Sequence, residues 1–219
     1  YPNKLNIEQT SSETAALIKS EFMQGESLID LTGGFGVDSY YFSKQFKTVV
    51  HCEMDSKLAE IAAYNFEVLG AKNIESHNKD GIEFLKSCTD TFDWMYIDPS
   101  RRDAQKNKKF LIEDCSPNVI THQDLFFKHA KNVLIKMSPM LDISVGITAL
   151  KHVKTVYIVA VKNEVKELLF HQEKGFNGSA TVQTLNSHPN GDELFSFETL
   201  EEETAEASYS SPKCYLYEP

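Results

Sequence analysis

The hydrophobic pattern alternates between short, nearly continuous apolar runs and longer segments in which apolar residues recur every three or four positions. The short runs are rich in β-branched and aromatic residues, which predicts strands buried on both faces. They span 27–31, 47–53, 92–98, 132–138 and 154–161. Strands that alternate with helices in this way predict an open, doubly wound α/β fold with a parallel sheet. Ligands of such folds bind beyond the carboxyl ends of the strands.

Three of the segments between or beside these runs have the periodicity of amphipathic helices. Residues 56–70 place their apolar side chains on one face and end at Gly70, a residue suited to a helix C-terminus. Residues 164–175 show a similar period and also end at a glycine, so a helix is predicted there. A first helix is predicted after "TSSE", where Thr10 and Glu13 have capping-box spacing.

The first predicted strand runs into the glycine-rich turn "DLTGGFG" at 30–36, which opens a predicted helix, as a nucleotide-binding turn does. Glycines allow the backbone to turn tightly and to approach a ligand, although a tight turn without a ligand would use them too. Glu53 ends the second strand 19 residues after Gly34, where a carboxylate can accept hydrogen bonds from ribose hydroxyls. Asp80 follows a third possible strand and precedes another helix.

The acid at position 30 distinguishes between two kinds of nucleotide. Asp30 stands three residues before Gly33 and would repel the pyrophosphate of a dinucleotide, and Ser39 occupies the place of the third glycine of GxGxxG. A carboxylate here suits a cationic ligand such as S-adenosylmethionine (SAM), with its ammonium and sulfonium groups. Their attraction in a partly desolvated site is on the order of several kcal/mol. The pattern therefore favours SAM over NAD and disfavours a dehydrogenase.

Charge is unevenly distributed along the chain. The net charge of −10 argues against indiscriminate binding of nucleic acid, and no basic residue interrupts the acidic stretch 192–206. The only two arginines, Arg101 and Arg102, begin a basic cluster at 101–109, which is either a partner site or a solvated loop.

The cysteines indicate reduced thiols in a cytoplasmic protein without a metal site, because their spacing is not that of metal ligands. They are Cys52, Cys88, Cys115 and Cys214. No apolar run is long enough to span a membrane.

Four motifs, "DLTGGFGVD", "CEMD", "NKDGIEFL" and "YIDPSRRD", resemble in order and spacing those of class I (Rossmann-fold) SAM-dependent methyltransferases, over residues 9–185. More narrowly, "EQTSSETA", "IDPSRR", "LIKMSPMLDI" and "NEVKELL" resemble a bacterial family of such enzymes that carries a THUMP-like domain and is taken to act on RNA. The resemblance implies a mostly parallel, seven-stranded Rossmann-like sheet with helices on both faces. It also implies an N-terminal segment and helix on the cofactor pocket (1–26), a SAM-binding domain (27–186) and an acidic tail that starts a C-terminal appendage (187–219).

The resemblance also implies roles for individual residues. Asp30 and the Thr32–Gly36 turn, with Gly33, Gly34 and Gly36, would hold the methionine end of SAM. Glu53 would hold the ribose with Met54 beside it, and Asp80 would hold the adenine amino group with Gly81 beside it. Gln9 and Ser11 are candidates for the methionine carboxylate, although helix capping alone is an alternative explanation of Thr10 and of Ser11.

The end of the fourth predicted strand, Asp98-Pro99-Ser100-Arg101, is the candidate acceptor site. Methyltransferases that modify a base nitrogen often carry (D/N/S)PP(Y/F/W) here, and this chain lacks the aromatic ring. Arginine can stack on an unpaired base or bind phosphate as a fork, so Arg101 is a catalytic-site candidate with Asp98 and Pro99. Asp98 would orient or deprotonate the acceptor. Alternatively, the arginines pair with local acids and Asp98 caps the loop.

Further polar residues are weaker candidates. Lys136, Ser138 and Asp142 end or follow the next strand and would either line the pocket or belong to a turn packed on the core. Glu164 and Lys166 are expected on a solvated helix start. Taken together, the sequence predicts a SAM-dependent methyltransferase that acts on RNA, with its oligomeric state open. The alternatives are a methyltransferase for a small molecule or protein, and a non-catalytic binding module with the same fold.

Overall fold

The computed structural model describes residues 10–101 and 112–206, and the bounds below refer to this part of the chain. The strands are β1 Ser27–Asp30, β2 Thr48–Cys52, β3 Ile74–His77, β4 Phe92–Ile97, β5 Ser100–Arg101, β6 Cys115–Ser116, β7 Ala130–Met137, β8 Val153–Val161, β9 Glu164–Glu173, β10 Thr181–Ser187 and β11 Glu193–Glu198. The helices are α1 Glu13–Glu21, α2 Val37–Phe42, α3 Ser56–Val68, α4 Gly81–Ser87, α5 Gln123–His129, α6 Ile143–Ala149 and α7 Thr199–Thr204, with a 3₁₀ turn at Ile112–Asp114.

The main sheet of the described chain has nine strands in the order β3-β2-β1-β4-β7-β9-β8-β10-β11. Seven run parallel, while β9 and β11 are antiparallel to their neighbours. The predicted doubly wound, mostly parallel fold is therefore confirmed. The predicted number of seven strands is wrong, because β10 and β11 extend the sheet beyond β8. The acidic stretch that begins at 192 supplies β11, the edge strand.

The segment predicted as a helix over 164–175 is instead strand β9. It forms a hairpin with β8 through a two-residue turn at Lys162 and Asn163, whose φ angles of 54° and 65° match the turn that joins twisted antiparallel strands. β9 inserts between β7 and β8 and is covered on both faces. A strand buried on both faces carries a continuous apolar run, which periodicity alone does not separate from a helix.

Helix α1 exists as predicted, but its predicted cap is wrong. The N-cap is Ser12, whose Oγ accepts the backbone N–H of Ala15 at 3.2 Å, so Thr10 is not the N-cap residue. Glu13 accepts a hydrogen bond from the hydroxyl of Tyr41 on α2, at 2.9 Å. The first helix is thereby fixed beside α2, with Ile18 in the core.

Two apolar layers cover the two faces of the sheet, and neighbouring residues of each central strand alternate between them. One layer contains Ile29, Met95, Ile97, Val133, Ile135 and Phe170. The other contains Leu28, Trp94, Tyr96, Leu134 and Leu169, together with Ile18 and Met23 from α1 and its C-terminal turn. The prediction of strands buried on both faces is confirmed, and the polar strand ends are left at one edge. Within the described residues, no helix has the length and apolar character needed to cross a bilayer.

Candidate active site

A pocket of about 320 Å³ opens at the carboxyl edge of the parallel strands. Its walls come from the ends of β1, β2 and β4, the start of α4, the β5–β6 ribbon and the segment before α1. Ten of the predicted site residues line it: Ser11, Asp30, Thr32, Gly33, Gly34, Glu53, Met54, Asp80, Gly81 and Asp98. Gly36 and Pro99 lie next to lining residues. Gln9, Arg102 and the rest of the basic cluster lie outside the described residues, as does the side chain of Arg101.

The glycines of the turn have different physical roles. A Cβ atom at Gly33 would overlap the imidazole of His51, and one at Gly36, which has a φ of 78°, would overlap the ring of Phe66. These two glycines allow close packing of the turn on β2 and α3. Gly34 has a φ of 54°, and a Cβ there would meet no described atom within 4 Å. Gly34 is thus the glycine that faces open space, where a ligand can approach the backbone.

Glu53 connects the end of β2 to the glycine turn. Its Oε2 accepts the backbone N–H of Gly34 at 2.8 Å, and its Oε1 accepts the N–H of Asp55 at 2.8 Å. Each carboxylate oxygen has a second lone pair, so the fixed side chain can still accept hydroxyl donors from a ribose.

The far end of the pocket combines a carboxylate with apolar walls. Asp80 caps α4, since its Oδ1 accepts the N–H groups of Ile82 and Glu83 at 2.9 and 3.0 Å. A Cβ at Gly81 would collide with the carbonyl oxygen of Leu31, so only glycine lets α4 begin this close to β1. Met54, 73% exposed, lines the pocket together with Ile82. A flat ring with a donor group fits between these surfaces.

Asp30 organises the turn from inside. The residue is 1% exposed, its Oδ1 accepts the N–H of Thr32 at 3.0 Å, and its Oδ2 accepts the hydroxyl of Ser39 at 2.6 Å. Burial raises the pKa of Asp30 to about 7, against the lowering effect of these two hydrogen bonds. Asp30 therefore changes its charge near neutral pH.

Asp98 lies beside the turn, where β4 ends. Its backbone N–H donates to the Oγ1 of Thr32 at 2.7 Å, and its Oδ2 accepts the Nζ of Lys136 at 2.7 Å. Burial raises the pKa of Asp98 above its ordinary value, and the positive charges of Lys136 and Lys19 oppose that shift. The carboxyl group lies where the acceptor site was predicted.

A network of buried charges supports this end of the pocket. Lys19 on α1 is fully buried, and its Nζ lies 3.0 Å from Asp38 Oδ2, 3.0 Å from the Tyr96 hydroxyl and 3.1 Å from Glu167 Oε1. The Tyr96 hydroxyl donates to Asp38 Oδ2 at 2.9 Å. Lys136 lies 3.6 Å from Glu167 Oε1, which joins the Asp98 pair to the network.

Asp38 belongs to this network and, like Asp98, lines the pocket. Burial would raise its pKa, but Lys19 and Lys136 hold the pKa of Asp38 below its ordinary value. Its Oδ1 is buried and makes no hydrogen bond to any described residue. A carboxylate oxygen in this state fits a cationic or hydrogen-donating ligand group.

Sequence reasoning missed most of this network for identifiable reasons. Glu167 was expected on a helix, whereas antiparallel β9 brings it to the carboxyl edge of β7. Lys19 is polar and lies on an amphipathic helix, where the pattern indicates solvent. Asp38 stands in the quoted motif "GGFGVD", which was the available signal. Lys136 was a candidate pocket residue and lies behind the pocket, paired with Asp98, whereas Asp142 caps α6 by accepting the Ser144 N–H.

The pocket's outer wall is a two-stranded ribbon that the sequence did not indicate. β5 pairs with β6, so that Ser100 lies opposite Ser116 and donates its hydroxyl to the Ser116 carbonyl at 3.3 Å. Ser100, Ser116 and Pro117 line the pocket, and the Ser116–Pro117 peptide bond is cis. The ribbon fixes the backbone that follows Asp98 and Pro99.

Comparison with known proteins identifies the fold as that of Rossmann-like methyltransferases. A methyltransferase candidate from Porphyromonas gingivalis W83 superposes with a TM-score of 0.88 and is 27% identical, over 97% of this chain and 54% of that one. Mycoplasma capricolum TrmK, in complex with S-adenosyl-homocysteine (SAH), superposes with a TM-score of 0.56 at 16% identity, over 85% of this chain and 73% of that one.

A comparison with curated proteins finds a sequence relative among the methyltransferases. An uncharacterized RNA methyltransferase of Mycoplasma mobile is 31% identical over 118 residues, which are 52% of this chain and 32% of the relative. This chain thus spans about a third of the length of that relative and about half of the P. gingivalis chain. No protein-family model matches the chain. The relatives support a methyltransferase.

The pocket fits SAM by its own features. Open space lies over Gly34, and the carboxylates of Glu53 and Asp80 line the same pocket. Asp38 lines it too, and its buried Oδ1 makes no hydrogen bond to any described residue. Cys52 and Cys88 are free thiols, while Cys214 lies outside the described residues. In residues 10–101 and 112–206, no group of three or more potential ligands is arranged for a metal ion.

Proposed function

We propose that this chain is the catalytic domain of a SAM-dependent methyltransferase that acts on RNA. One observation carries the proposal: a single pocket connects the open Gly34 backbone and the Glu53 carboxylate to the Asp98 carboxyl group at the end of β4. A cofactor site and an acceptor group in one cavity are what direct transfer requires. The choice of RNA is supported by the sequence relative from Mycoplasma mobile.

The cofactor residues divide between the two ends of SAM. Glu53 would accept the ribose hydroxyls, and Asp80 would accept the adenine amino group, with Met54 and Gly81 beside them. Thr32, Gly33, Gly34 and Gly36 shape the turn that would hold the methionine end, together with Asp30. Ser11 lines the pocket and would bind the methionine carboxylate, and Gln9 is a second candidate for that role from the sequence. Asp38 would serve as a further acid for the methionine ammonium, since it lines the pocket and its Oδ1 makes no hydrogen bond to any described residue. When bound, SAM supplies a methyl group on a positively charged sulfur.

The acceptor side relies on Asp98. Its carboxylate would accept a hydrogen bond from the group to be methylated and then take its proton. Pro99 directs the chain into the β5–β6 ribbon, whose second residue, Arg101, would stack on a base or bind its phosphate. Because methyl transfer needs alignment more than acid–base strength, the main task of these residues is to position the acceptor.

Recognition of RNA would rest on the basic cluster 101–109 and on parts of a longer protein, such as a THUMP-like domain. The net charge of −10 gives the chain little general attraction for phosphate, so the interaction has to be local. Replacing Arg101 and Arg102 by Gln would weaken methylation of RNA and leave SAM affinity unchanged. Equal activity of that variant would indicate a small-molecule acceptor.

Calorimetric titration with SAM, SAH and NAD, followed by transfer of labelled methyl groups to RNA, tests the proposal. We expect binding of SAM and SAH, no binding of NAD, and incorporation that Asp98→Asn abolishes. Binding of NAD alone would overturn the cofactor assignment. Binding of SAM without incorporation into ribosomal or transfer RNA would point to another acceptor or to a binding module.

A further inference from the structure

A lysine from the neighbouring strand holds the candidate acceptor carboxylate. Lys136 and Asp98 lie at the carboxyl ends of β7 and β4, which are parallel and paired through Ile97 and Ile135. Their side chains meet at 2.7 Å, between Lys136 Nζ and Asp98 Oδ2. Asp98 is about one-third exposed and lines the pocket, whereas Lys136 is 14% exposed and lies behind it.

The second oxygen of Asp98 remains available to a ligand. Among the described residues, every hydrogen bond of its carboxylate uses Oδ2, and its backbone N–H is held by Thr32. The lysine fixes one edge of the carboxylate, and within residues 10–101 and 112–206 the other edge is left to face a ligand in the pocket. A merely structural pair would gain little, since buried ion pairs contribute little net stability compared with apolar packing.

Burial and neighbouring acids disfavour the ionised form of Asp98. It is faced by Lys136 from β7 and Lys19 from α1, and also by three acids, Asp38 on α2, Asp30 on β1 and Glu167 on β9, with the Tyr96 hydroxyl on its own strand. Without Lys136, Asp98 would be a partly buried carboxyl group beside several acids. Such a group takes up a proton.

Lys136 itself stays protonated. Burial would lower its pKa, but the carboxylates of Asp98, Glu167 and Asp38 hold the pKa of Lys136 above its ordinary value. Its Nζ also lies 3.6 Å from Glu167 Oε1 and 3.4 Å from Ser11 Oγ, and these contacts help to fix its position.

We propose that Lys136 is the positioning residue that keeps Asp98 ionised and oriented, so that the acceptor is a group with an N–H or O–H hydrogen, such as an exocyclic amine or a hydroxyl. This inference rests on the proposed function and deepens it. The proton passes to Asp98 as the acceptor lone pair bonds to the methyl carbon, and the electron pair of the breaking carbon–sulfur bond returns to sulfur. A ring carbon has no such hydrogen to present to a carboxylate.

Carboxyl ¹³C NMR of aspartate-labelled protein, saturated with SAH, tests the role directly. Asp98→Asn assigns the signal of Asp98, and Asp30→Asn separates that of Asp30. In Lys136→Met we expect the apparent pKa of Asp98 to rise by about one unit or more. Lys136→Arg keeps the positive charge, so in that variant the pKa of Asp98 should stay close to its value in the parent protein. Lys151→Met is the matched control, because Lys151 makes a 2.7 Å ion pair with Asp124 on the surface. It should leave Asp98 unchanged.

An Asp98 pKa that is the same in Lys136→Met and in the parent protein would overturn the proposal. If Lys136→Met does not fold, Lys136→Gln gives the same comparison with less disturbance. Failure of the parent chain to bind SAM or SAH in calorimetry would refute the proposed function. Calorimetry and the NMR titration are separate measurements, so the two failures can be told apart. Mass spectrometry of methylated nucleosides tests the acceptor class, and a methyl group on a ring carbon would contradict it.

Discussion

The backbone N–H of Gly34 donates to the Oε2 of Glu53 at 2.8 Å, so the only turn glycine that faces open space is bonded to the acid at the end of the next strand. One glycine-rich turn and one carboxylate, 19 residues apart in sequence, thus form a single surface. A ligand that approaches the backbone at Gly34 must also meet Glu53. This relationship determines the first two predictions.

Glu53→Ala should lower SAM affinity by about 10-fold or more, because it removes both the ribose acceptor and the bond that holds Gly34. Glu60→Ala removes the same charge from an exposed position on α3 and serves as the control. Calorimetric titration with SAM measures both variants. Equal affinities of the two would contradict the assignment of Glu53.

Gly34→Ala should abolish SAM binding while the fold survives. The left-handed φ of 54° costs an alanine on the order of 1 kcal/mol, and its methyl group would project into the space where a ligand approaches. Gly70→Ala is the matched control, since Gly70 has a φ of 70° and similarly open surroundings away from the pocket. Both variants should lose similar stability in urea unfolding. Only Gly34→Ala should lose the ability to bind SAM, as measured by calorimetric titration.

Protonation of Asp30 should make SAM binding depend on pH. With a pKa of about 7 in the free protein, Asp30 is largely neutral at pH 6 and largely ionised at pH 8. A sulfonium favours the ionised form, so SAM affinity should rise across this range. SAH lacks the sulfonium charge but keeps the ammonium, and its affinity should rise less. Asp30→Asn should remove the difference between the two slopes, and parallel slopes in the parent protein would refute the interpretation.

The raised pKa of Asp30 also makes the stability of the folded state depend on pH. The folded chain binds the Asp30 proton more tightly than the unfolded chain, whose pKa is near 3.8. Between about pH 4 and pH 7 the folded state therefore carries more of this proton, and this group's contribution to stability falls as pH rises. Comparison of Asp30→Asn with the parent protein in urea unfolding at several pH values isolates that contribution.

Most of the pocket residues proposed to bind the cofactor could be predicted from the sequence, because they belong to short local motifs. Asp30, Gly34, Glu53 and Asp80 each stand at a strand end or helix start, and parallel strands bring such ends to one edge. The direct contact between Gly34 and Glu53 follows from that geometry. These residues line the pocket as expected, and their roles toward SAM stay predictions.

The surroundings of Asp98 were harder to predict from the sequence, because the residues around it come from distant elements whose local sequence patterns are ambiguous. Glu167 reaches the site only through a hairpin that reverses β9, and its apolar neighbours have a period that a helix also shows. Lys19 is buried by a tertiary arrangement of acids that no local pattern contains. Sequence reasoning sees each polar residue against its neighbours in the chain, where a lysine on an amphipathic helix indicates solvent.

Lys19 should therefore be essential for the fold as well as for the site. Lys19→Met would leave Asp38 and Glu167 buried without their main cation, at a cost of about 3–5 kcal/mol, because uncompensated buried charges are strongly destabilising. Lys47→Met breaks an exposed ion pair with Glu26 and should cost no more than about 1 kcal/mol. Urea unfolding at pH 7 measures both. Lys19 lowers the pKa of Asp38, so Asp38 should take up a proton more readily in Lys19→Met, and the loss of stability should shrink as pH falls toward 5. A loss of stability that does not change with pH would indicate lost packing instead of lost charge.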